Sequence, residues 1–374
     1  MSRWAWAEID HDAIGHNVGV LRRAVAPSAL WAVVKADGYG HGAVGAARAA
    51  LAAGAAGLCV ALTQEGVELR EAGIAAPILL LSEQPRTDVR EIVEHRLDPF
   101  VYTRSYVDAL AALDLDSIGV GSIDVHLKVD TGMHRVGVAP AEAAGLAAAI
   151  TAHAPRLRLH GVATHLASAD AVTDPTTADQ LAAFDAVLAT LPRVDVTHAA
   201  NSAAGLACAE ARHSFVRAGI AIYGISPGHG VDHLCTDLRP ALRLVARVAY
   251  VKRVRAGDAI SYGLRHTFAR PATVATVPIG YADGVPRRLF DTGGEVLVRG
   301  SRRPIVGAVT MDQLMIDVGD DPVAVGDEVV LIGEQGSERV IAEEWADRLG
   351  TIGYEIVCGV SRRIARMPRR SIDC

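Results

Sequence analysis

Aromatic residues are scarce, 5% of the 374-residue chain, so the interior has to be packed mainly by Ala, Val, Leu and Ile. Half of the sequence is apolar, which excludes a largely disordered or fibrous chain. Cysteine is also sparse. Cys59, Cys208, Cys235, Cys358 and Cys374 are scattered, with no Cys-x-x-Cys pair, and read as reduced thiols rather than a disulfide frame. There is no basic excess: 37 Lys and Arg against 43 Asp and Glu leave a formal charge of −6, which argues against a nucleic-acid binder. No apolar run suits a membrane span, since the most apolar window, Ala43 to Leu62, is broken by Arg48 and reads as a helix running into a strand. The N-terminus carries Glu8, Asp10 and Asp12 and lacks the apolar segment of a signal peptide, so a cytoplasmic protein is expected. The one local charge excess, Arg362, Arg363, Arg366, Arg369 and Arg370, reads as a solvated helix end or terminus.

What is present is a rhythm. At ~100–200 residues per domain, the length predicts two domains or one large barrel with an addition. Over the first ~225 residues, short apolar runs alternate with longer Ala-rich stretches of helical spacing. The runs are Leu30–Lys35, Leu58–Leu62, Pro77–Leu81, Pro99–Tyr102, Ile123–Val129, Leu159–Thr164, Asp195–His198 and Phe215–Ile220. Thr63–Ala72, Thr87–His95, Glu142–His153 and Ala178–Leu191 read as helices between them. Eight alternating units predict a (β/α)8 barrel of the TIM type, with an open doubly wound sheet as the alternative. Ser226–Asp237, rich in Gly, His and Asp, reads as a linker. Beyond it, alternating apolar residues such as Leu242, Leu244 and Ala246 and frequent Gly-containing turns predict a mainly antiparallel β domain with one helix near Ala342–Leu349. The expected domains are 1–235 and 236–374.

In a barrel, the C-terminal ends of the strands converge on one mouth, where chemistry is done. Those positions hold Lys35, Lys128 to Arg135, His165, Asn201, Ser202, Arg217, Gly219 and Ile220. An amine such as Lys35 beside an apolar run can lose part of its hydration, which lowers its pKa and suits it to act as a base or to form an imine. Glycines follow it at 38, 40 and 42, and let backbone approach a ligand closely. His229, His233 and Cys235 lack a fourth ligand, so no metal site is expected.

The stretch Val34-Lys35-Ala36-Asp37-Gly38-Tyr39-Gly40-His41-Gly42 resembles the pyridoxal-phosphate signature of bacterial alanine racemases. The resemblance continues in order through Lys128–Arg135, Ala200-Asn201-Ser202, Val216–Ile220, Ser261-Tyr262-Gly263, Gly280–Gly284, Thr310-Met311-Asp312 and Tyr354-Glu355. It implies an L-alanine/D-alanine racemase, a (β/α)8 barrel followed by a β domain, pyridoxal 5′-phosphate as cofactor, and a head-to-tail homodimer with shared sites. The resemblance makes Lys35 the covalent cofactor attachment and the base on the D face of the substrate. By the same resemblance Tyr262 matches the base on the L face, and His165 and Arg217 match the neighbours that tune it. Tyr39, Asn201, Ser202, Gly219, Ile220 and Tyr354 match cofactor-binding positions, and Arg217 matches the residue facing the pyridine nitrogen. Arg135, Tyr281 and Met311 match substrate-side positions, and Lys128 matches a lysine often carbamylated in relatives.

Three positions depart from the pattern. Ala308 and Thr310 stand where the family commonly has an arginine and then a Cys or Ser, which bears on substrate access and side-chain preference. His134 stands where glycine or asparagine is frequent. A racemase of another small amino acid such as serine is therefore an alternative. A barrel decarboxylase or aldolase is another, but it has no need of a second base such as Tyr262.

Overall fold

The computed structural model describes residues 3–369, so Arg370 and Cys374 lie outside the described residues. The chain forms two compact units. One comprises Ile14–Gly38 and Gly42–Arg239; the other comprises the N-terminal residues up to Ala13, Tyr39–His41 and the chain from Pro240 onward.

The first unit is a nearly closed parallel barrel. Its strands are Ala29–Val33, Gly57–Val60, Ile78–Leu80, Asp98–Val101, Ile123–Lys128, Leu157–Ala163, Val196–His198 and Phe215–Ala218, each beside its sequence neighbour, with the last beside the first. The seventh and eighth strands meet without a ladder, and the seam is bridged by Ser214 N donating to Thr197 O (2.9 Å) and Arg217 N to Ala200 O (3.1 Å). All eight expected strands are present, shifted by a few residues. The helices are shorter than expected, because Thr87–His95 and Glu142–His153 each open with a 3-10 turn before Val89–Glu94 and Ala143–Thr151 begin. With so few aromatics, packing relies on close approach: a Cβ on Gly57 would meet the Trp31 ring at 2.7 Å. Trp31 in turn stacks on Phe215 at 4.5 Å. Ser226–Asp237 is more ordered than a linker, with a 3-10 helix over His229–Leu234 and a fully buried Val231.

The second unit is mainly antiparallel. Its larger sheet runs Ser301–Pro304, Glu295–Val298, Glu328–Gln335, Leu242–Arg247, Ala5–Ile9, Ala365–Pro368, with Glu338–Val340 on Glu328–Gln335. A three-stranded sheet, Tyr250–Val254, Ala272–Val277 and Leu314–Gly319, packs Val254, Val274 and Ala272 with Ile260, Phe268 and Val306. A domain boundary read as 1–235 misses one feature: Ala5–Ile9 is almost wholly buried and pairs on both edges, antiparallel with Leu242–Arg247 and parallel with Ala365–Pro368. A short N-terminal run has no local partner in sequence, so its sheet could not be read from its own residues. The basic tail divides: Arg362, Arg363 and Arg369 are exposed as expected, and Arg366 is the correction. Arg366 sits in a strand and donates to Gly40 O (3.0 Å), Ile364 O (2.7 Å) and Val360 O (2.6 Å), so its charge closes loops instead of facing solvent.

At the N-terminal end of the barrel strands, burial and then Asp124 push Asp98 up to about 7, partly opposed by Arg70 and Arg158. The folded state therefore holds this proton where the unfolded chain, near 4, does not. The stability it contributes is full below the unfolded value and is lost as pH rises through 7. Asp98→Asn is expected to raise the thermal midpoint by roughly 2–4 °C per kcal/mol recovered, with a larger gain at pH 8 than at pH 4.5. Calorimetry at the two pH values measures it.

Candidate active site

The first barrel strand ends one residue before Val34, and Lys35 opens a turn of unusual backbone. Ala36, Asp37 and Gly38 have φ of 53°, 53° and 61°, all left-handed. Such a conformation costs a non-glycine residue roughly 1–2 kcal/mol, so it persists only where neighbours over-determine it. They do. Glu65 Oε1 accepts from Ala36 N (2.6 Å), while its Oε2 accepts from Ala61 N (2.8 Å) and Leu62 N (3.1 Å). Asp37 Oδ1 accepts from Ala43 N (3.0 Å), and Asp37 O accepts from Gly42 N (2.8 Å). The lysine is thus held half-buried at a rigid corner of the mouth.

Arg217 is buried on the last strand. Its Nη2 donates to Thr164 O (3.0 Å) and Ala199 O (2.9 Å) and meets His165 Nδ1 (3.1 Å), and its Nη1 meets His198 Nδ1 (2.6 Å). Among the described residues none of its hydrogen-bond partners is a carboxylate, so a cation is buried against neutral acceptors. Burial pushes it down to about 10, which leaves it charged at neutral pH. His165 is held well below the usual imidazole range by burial first, then by the charges of Arg217, Lys128, Arg135 and Lys35. It is therefore a neutral acceptor. Gln180 fixes the backbone at this point, donating to His165 O (3.1 Å) and accepting from Ala167 N (2.8 Å).

These side chains make a cationic mouth. Lys128 is buried at its strand end, donating to Val129 O (2.9 Å). Burial and then Arg217 push its amine down to about 7, with Asp130 opposing. Asp130 Oδ1 gathers the amides of Gly132, Met133 and His134 into a tight turn, which puts His134 at φ 56° and exposes Arg135. A left-handed residue there accounts for the glycine or asparagine expected from the resemblance. On the adjoining strand ends, Asn201 Oδ1 caps the helix Ser202–Ala207 by accepting from Ala204 N (3.0 Å), and the buried Ser202 Oγ accepts from Gly219 N (2.8 Å). Ser202, Gly219 and Ile220 thus lie together. The donor set, several cations with backbone amides and a hydroxyl, fits a phosphorylated, anionic ring cofactor.

The remaining expected residues lie in the second unit. The Tyr39 and Tyr354 rings are 6.0 Å apart. Tyr281 N donates to Thr310 O (2.9 Å) and Ala282 N to Met311 O (3.0 Å), so Tyr281 and Met311 come from two adjoining loops. Gly280 permits this, since a Cβ there would meet Thr310 O at 2.3 Å. Asp283, fully buried, anchors the loop by binding Arg3 through both carboxylate oxygens (2.7 and 2.5 Å). A third loop presents Tyr262, and Ser261 Oγ donates to Ala308 O (2.8 Å) at its base. Tyr262 is 74% exposed, Leu264 64% and Met311 53%, three large side chains left open on this unit.

His198 and Glu65 were not singled out from the sequence. The rule that selects polar residues at barrel strand ends selects His198 as readily as His165. Glu65 carries no comparable signal, because a glutamate in a first helical turn is commonplace.

The barrel and its cationic mouth, with an antiparallel unit carrying an exposed tyrosine, define a two-unit barrel enzyme whose mouth suits an anionic group. Residues 9–227 match the family described as alanine racemase, N-terminal domain, and residues 241–368 match alanine racemase, C-terminal domain. The chain belongs to the alanine racemase family. An alanine racemase of Symbiobacterium thermophilum is 46% identical over 370 residues, covering 97% of each chain. The crystal structure of alanine racemase from D-cycloserine producing Streptomyces lavendulae has a TM-score of 0.93 at 40% identity, covering 100% of this chain and 99% of that one. A histidine racemase from Leuconostoc mesenteroides shares the fold with a TM-score of 0.89 at 28% identity, covering 99% of both chains.

Proposed function

We propose that the protein interconverts L- and D-alanine with pyridoxal 5′-phosphate held at the barrel mouth. The observation that carries this reading is the convergence of Lys35, Lys128, Arg135 and Arg217 on a neutral His165, with Arg217 buried against neutral acceptors alone. When bound, the cofactor supplies the electron sink that makes the substrate α-hydrogen acidic. Lys35 Nζ would hold the cofactor covalently in the resting enzyme and, once displaced by the substrate amine, would carry the α-proton on one face of the substrate. Tyr262 Oη moves it on the other, and taking from one face while returning on the opposite face inverts the centre. Arg217 only donates hydrogen bonds and keeps its charge, so a cofactor ring nitrogen held against it would stay unprotonated, a weaker sink that would suppress side reactions. Ser202, Gly219, Ile220, Tyr39 and Tyr354 would take the phosphate, with Asn201 holding the Ser202 helix in place. Arg135, Tyr281 and the Met311 N–H hold the substrate carboxylate.

Tyr262 is exposed on its own unit, and with Leu264 and Met311 it offers a surface for a second copy of the chain. In this reading Tyr262 of the partner subunit completes each site in a head-to-tail dimer. Free thiols at Cys59 and Cys208 support a cytoplasmic location. Among the described residues no helix is long and apolar enough to cross a membrane.

Lys128 is the candidate for carbamylation. An amine pushed down to about 7 is substantially neutral at working pH, and only the neutral form adds to carbon dioxide, releasing one proton as the carbamate forms. The resulting anion would lie among cations. In carbon-dioxide-free buffer the unmodified lysine carries a linkage signature. Between about 7 and its ordinary value the unfolded chain holds the extra proton, so stability rises with pH across that window and is lost as pH falls through it. Denaturant titrations at pH 7 and 9.5 should show this slope in the native protein and lose it in Lys128→Met. Labelled bicarbonate should give a carbamate carbon resonance that the variant lacks.

The substrate assignment is tested by incubating holoenzyme with L-alanine and a panel of other L-amino acids in heavy water, reading chirality and α-deuterium together. D-alanine carrying α-deuterium is expected as the main product. No D-isomer from any amino acid would refute the racemase reading. Faster turnover of serine or another small amino acid would favour the alternative suggested by the buried Ala308 and by Thr310, whose Oγ1 donates to Gln313 O (2.8 Å).

A further inference from the structure

Two histidines lie wholly inside the barrel, and the proton movements proposed above use neither. His198 is clamped between aromatic rings, Phe215 at 4.2 Å and Phe100 at 5.8 Å, both nearly parallel to it. Its Nδ1 faces Arg217 Nη1 at 2.6 Å, and its Nε2 faces His126 Nδ1 at 3.1 Å. His126 is fully buried, and its own Nε2 has no hydrogen-bond partner.

Protons along this row have one consistent arrangement. A guanidinium can only donate, so His198 Nδ1 has to be bare. A neutral imidazole with a bare Nδ1 carries its proton on Nε2, and that N–H has to find an acceptor in the core. His126 Nδ1 is the atom in place, which leaves the His126 proton on its Nε2. The charge on Arg217 therefore sets two tautomers in series. Room for the second ring is reserved by Gly161, where a Cβ would meet His126 Nδ1 at 2.2 Å.

We propose that His126 is a positioning residue for Arg217: by accepting from His198 Nε2 it holds His198 as the tautomer whose bare Nδ1 fixes the guanidinium. In the native row the N–H without an acceptor is that of His126 Nε2, at the end away from the arginine. Without His126 the orphan N–H falls on His198, the ring that touches Arg217, and His198 then has two poor choices. It keeps an unsatisfied buried N–H, or it moves the proton to Nδ1 and turns an N–H against the arginine. Both loosen the one group that faces the cofactor ring nitrogen in the reading above, on which this inference rests. Burial holds both imidazoles neutral, His126 at about 3 and His198 well below the ordinary range, in keeping with a row of single-proton rings.

The test pairs His126→Asn, whose Oδ1 can stand near the lost Nδ1, with His126→Leu, which offers no acceptor. Holoenzyme of each is compared by thermal melting, by kcat and KM, by the absorption band of the bound cofactor against pH, and by nitrogen-15 resonances of the histidine rings. Loss of a buried acceptor is worth about 1–3 kcal/mol, so the leucine variant is expected to lose roughly 5- to 150-fold in kcat with little change in KM. Its cofactor band should titrate differently, and the His198 nitrogens should depart from a bare Nδ1 and protonated Nε2. The asparagine variant is expected to restore all three. Equal kcat in both variants and the native protein, or equal losses that follow only the melting temperature, would overturn the proposal. So would a native His198 protonated on Nδ1. If native holoenzyme neither racemises any amino acid nor shows a cofactor band, it is the functional reading that fails, while the nitrogen-15 arm still decides the tautomer.

Discussion

Lys35→Ala is expected to abolish racemisation, a fall of at least ~10³-fold, because one substitution removes both a positioned base and the group that anchors the cofactor. General acid–base catalysis by a single group contributes ~10²–10⁴-fold, so losing the anchor as well places the effect at or beyond that range. The fold should tolerate the change. The turn is held by Glu65 and Asp37 through backbone groups, and the substitution leaves those hydrogen bonds in place. The purified variant should therefore melt near the native temperature, lack the cofactor absorption band, and regain some exchange of the α-hydrogen when a small primary amine and excess cofactor are added. A variant that kept its band and its turnover would remove Lys35 from the mechanism.

Tyr262→Phe is the second large effect, with a loss of ~10²–10⁴-fold in racemisation and cofactor binding intact. Its ring is mostly exposed on its own unit, so removing one hydroxyl should leave the melting temperature of that unit unchanged. The informative measurement is asymmetric. If Lys35 serves the D face and Tyr262 the L face, the variant should still exchange the α-hydrogen of D-alanine for solvent deuterium while returning D-alanine. L-alanine should neither exchange nor convert. Equal exchange from both isomers would show that one base serves both faces and would remove the tyrosine from the reaction.

The barrel was legible because its strands are short apolar runs separated by helical spacing, a signal that each segment carries by itself. The barrel-mouth residues followed from one positional rule, and Arg217, His165 and Lys128 do lie together. Less legible was whatever depends on partners distant in sequence. Ala5–Ile9 became an interior strand of the second unit only through Leu242–Arg247 and Ala365–Pro368, more than two hundred residues away. Arg366 looked solvated because its acceptors, the carbonyls of Gly40, Val360 and Ile364, leave no trace in composition. The left-handed turn after Lys35 was suggested by its glycines. That Ala36 and Asp37 adopt it as well depends on Glu65, which no local pattern announces.

The direct test of the whole account is reductive trapping. Holoenzyme treated with borohydride and digested should yield one peptide carrying the reduced cofactor, with the modification on the ε-nitrogen of Lys35. A label on Lys128, on Lys252 or on no lysine at all would contradict it.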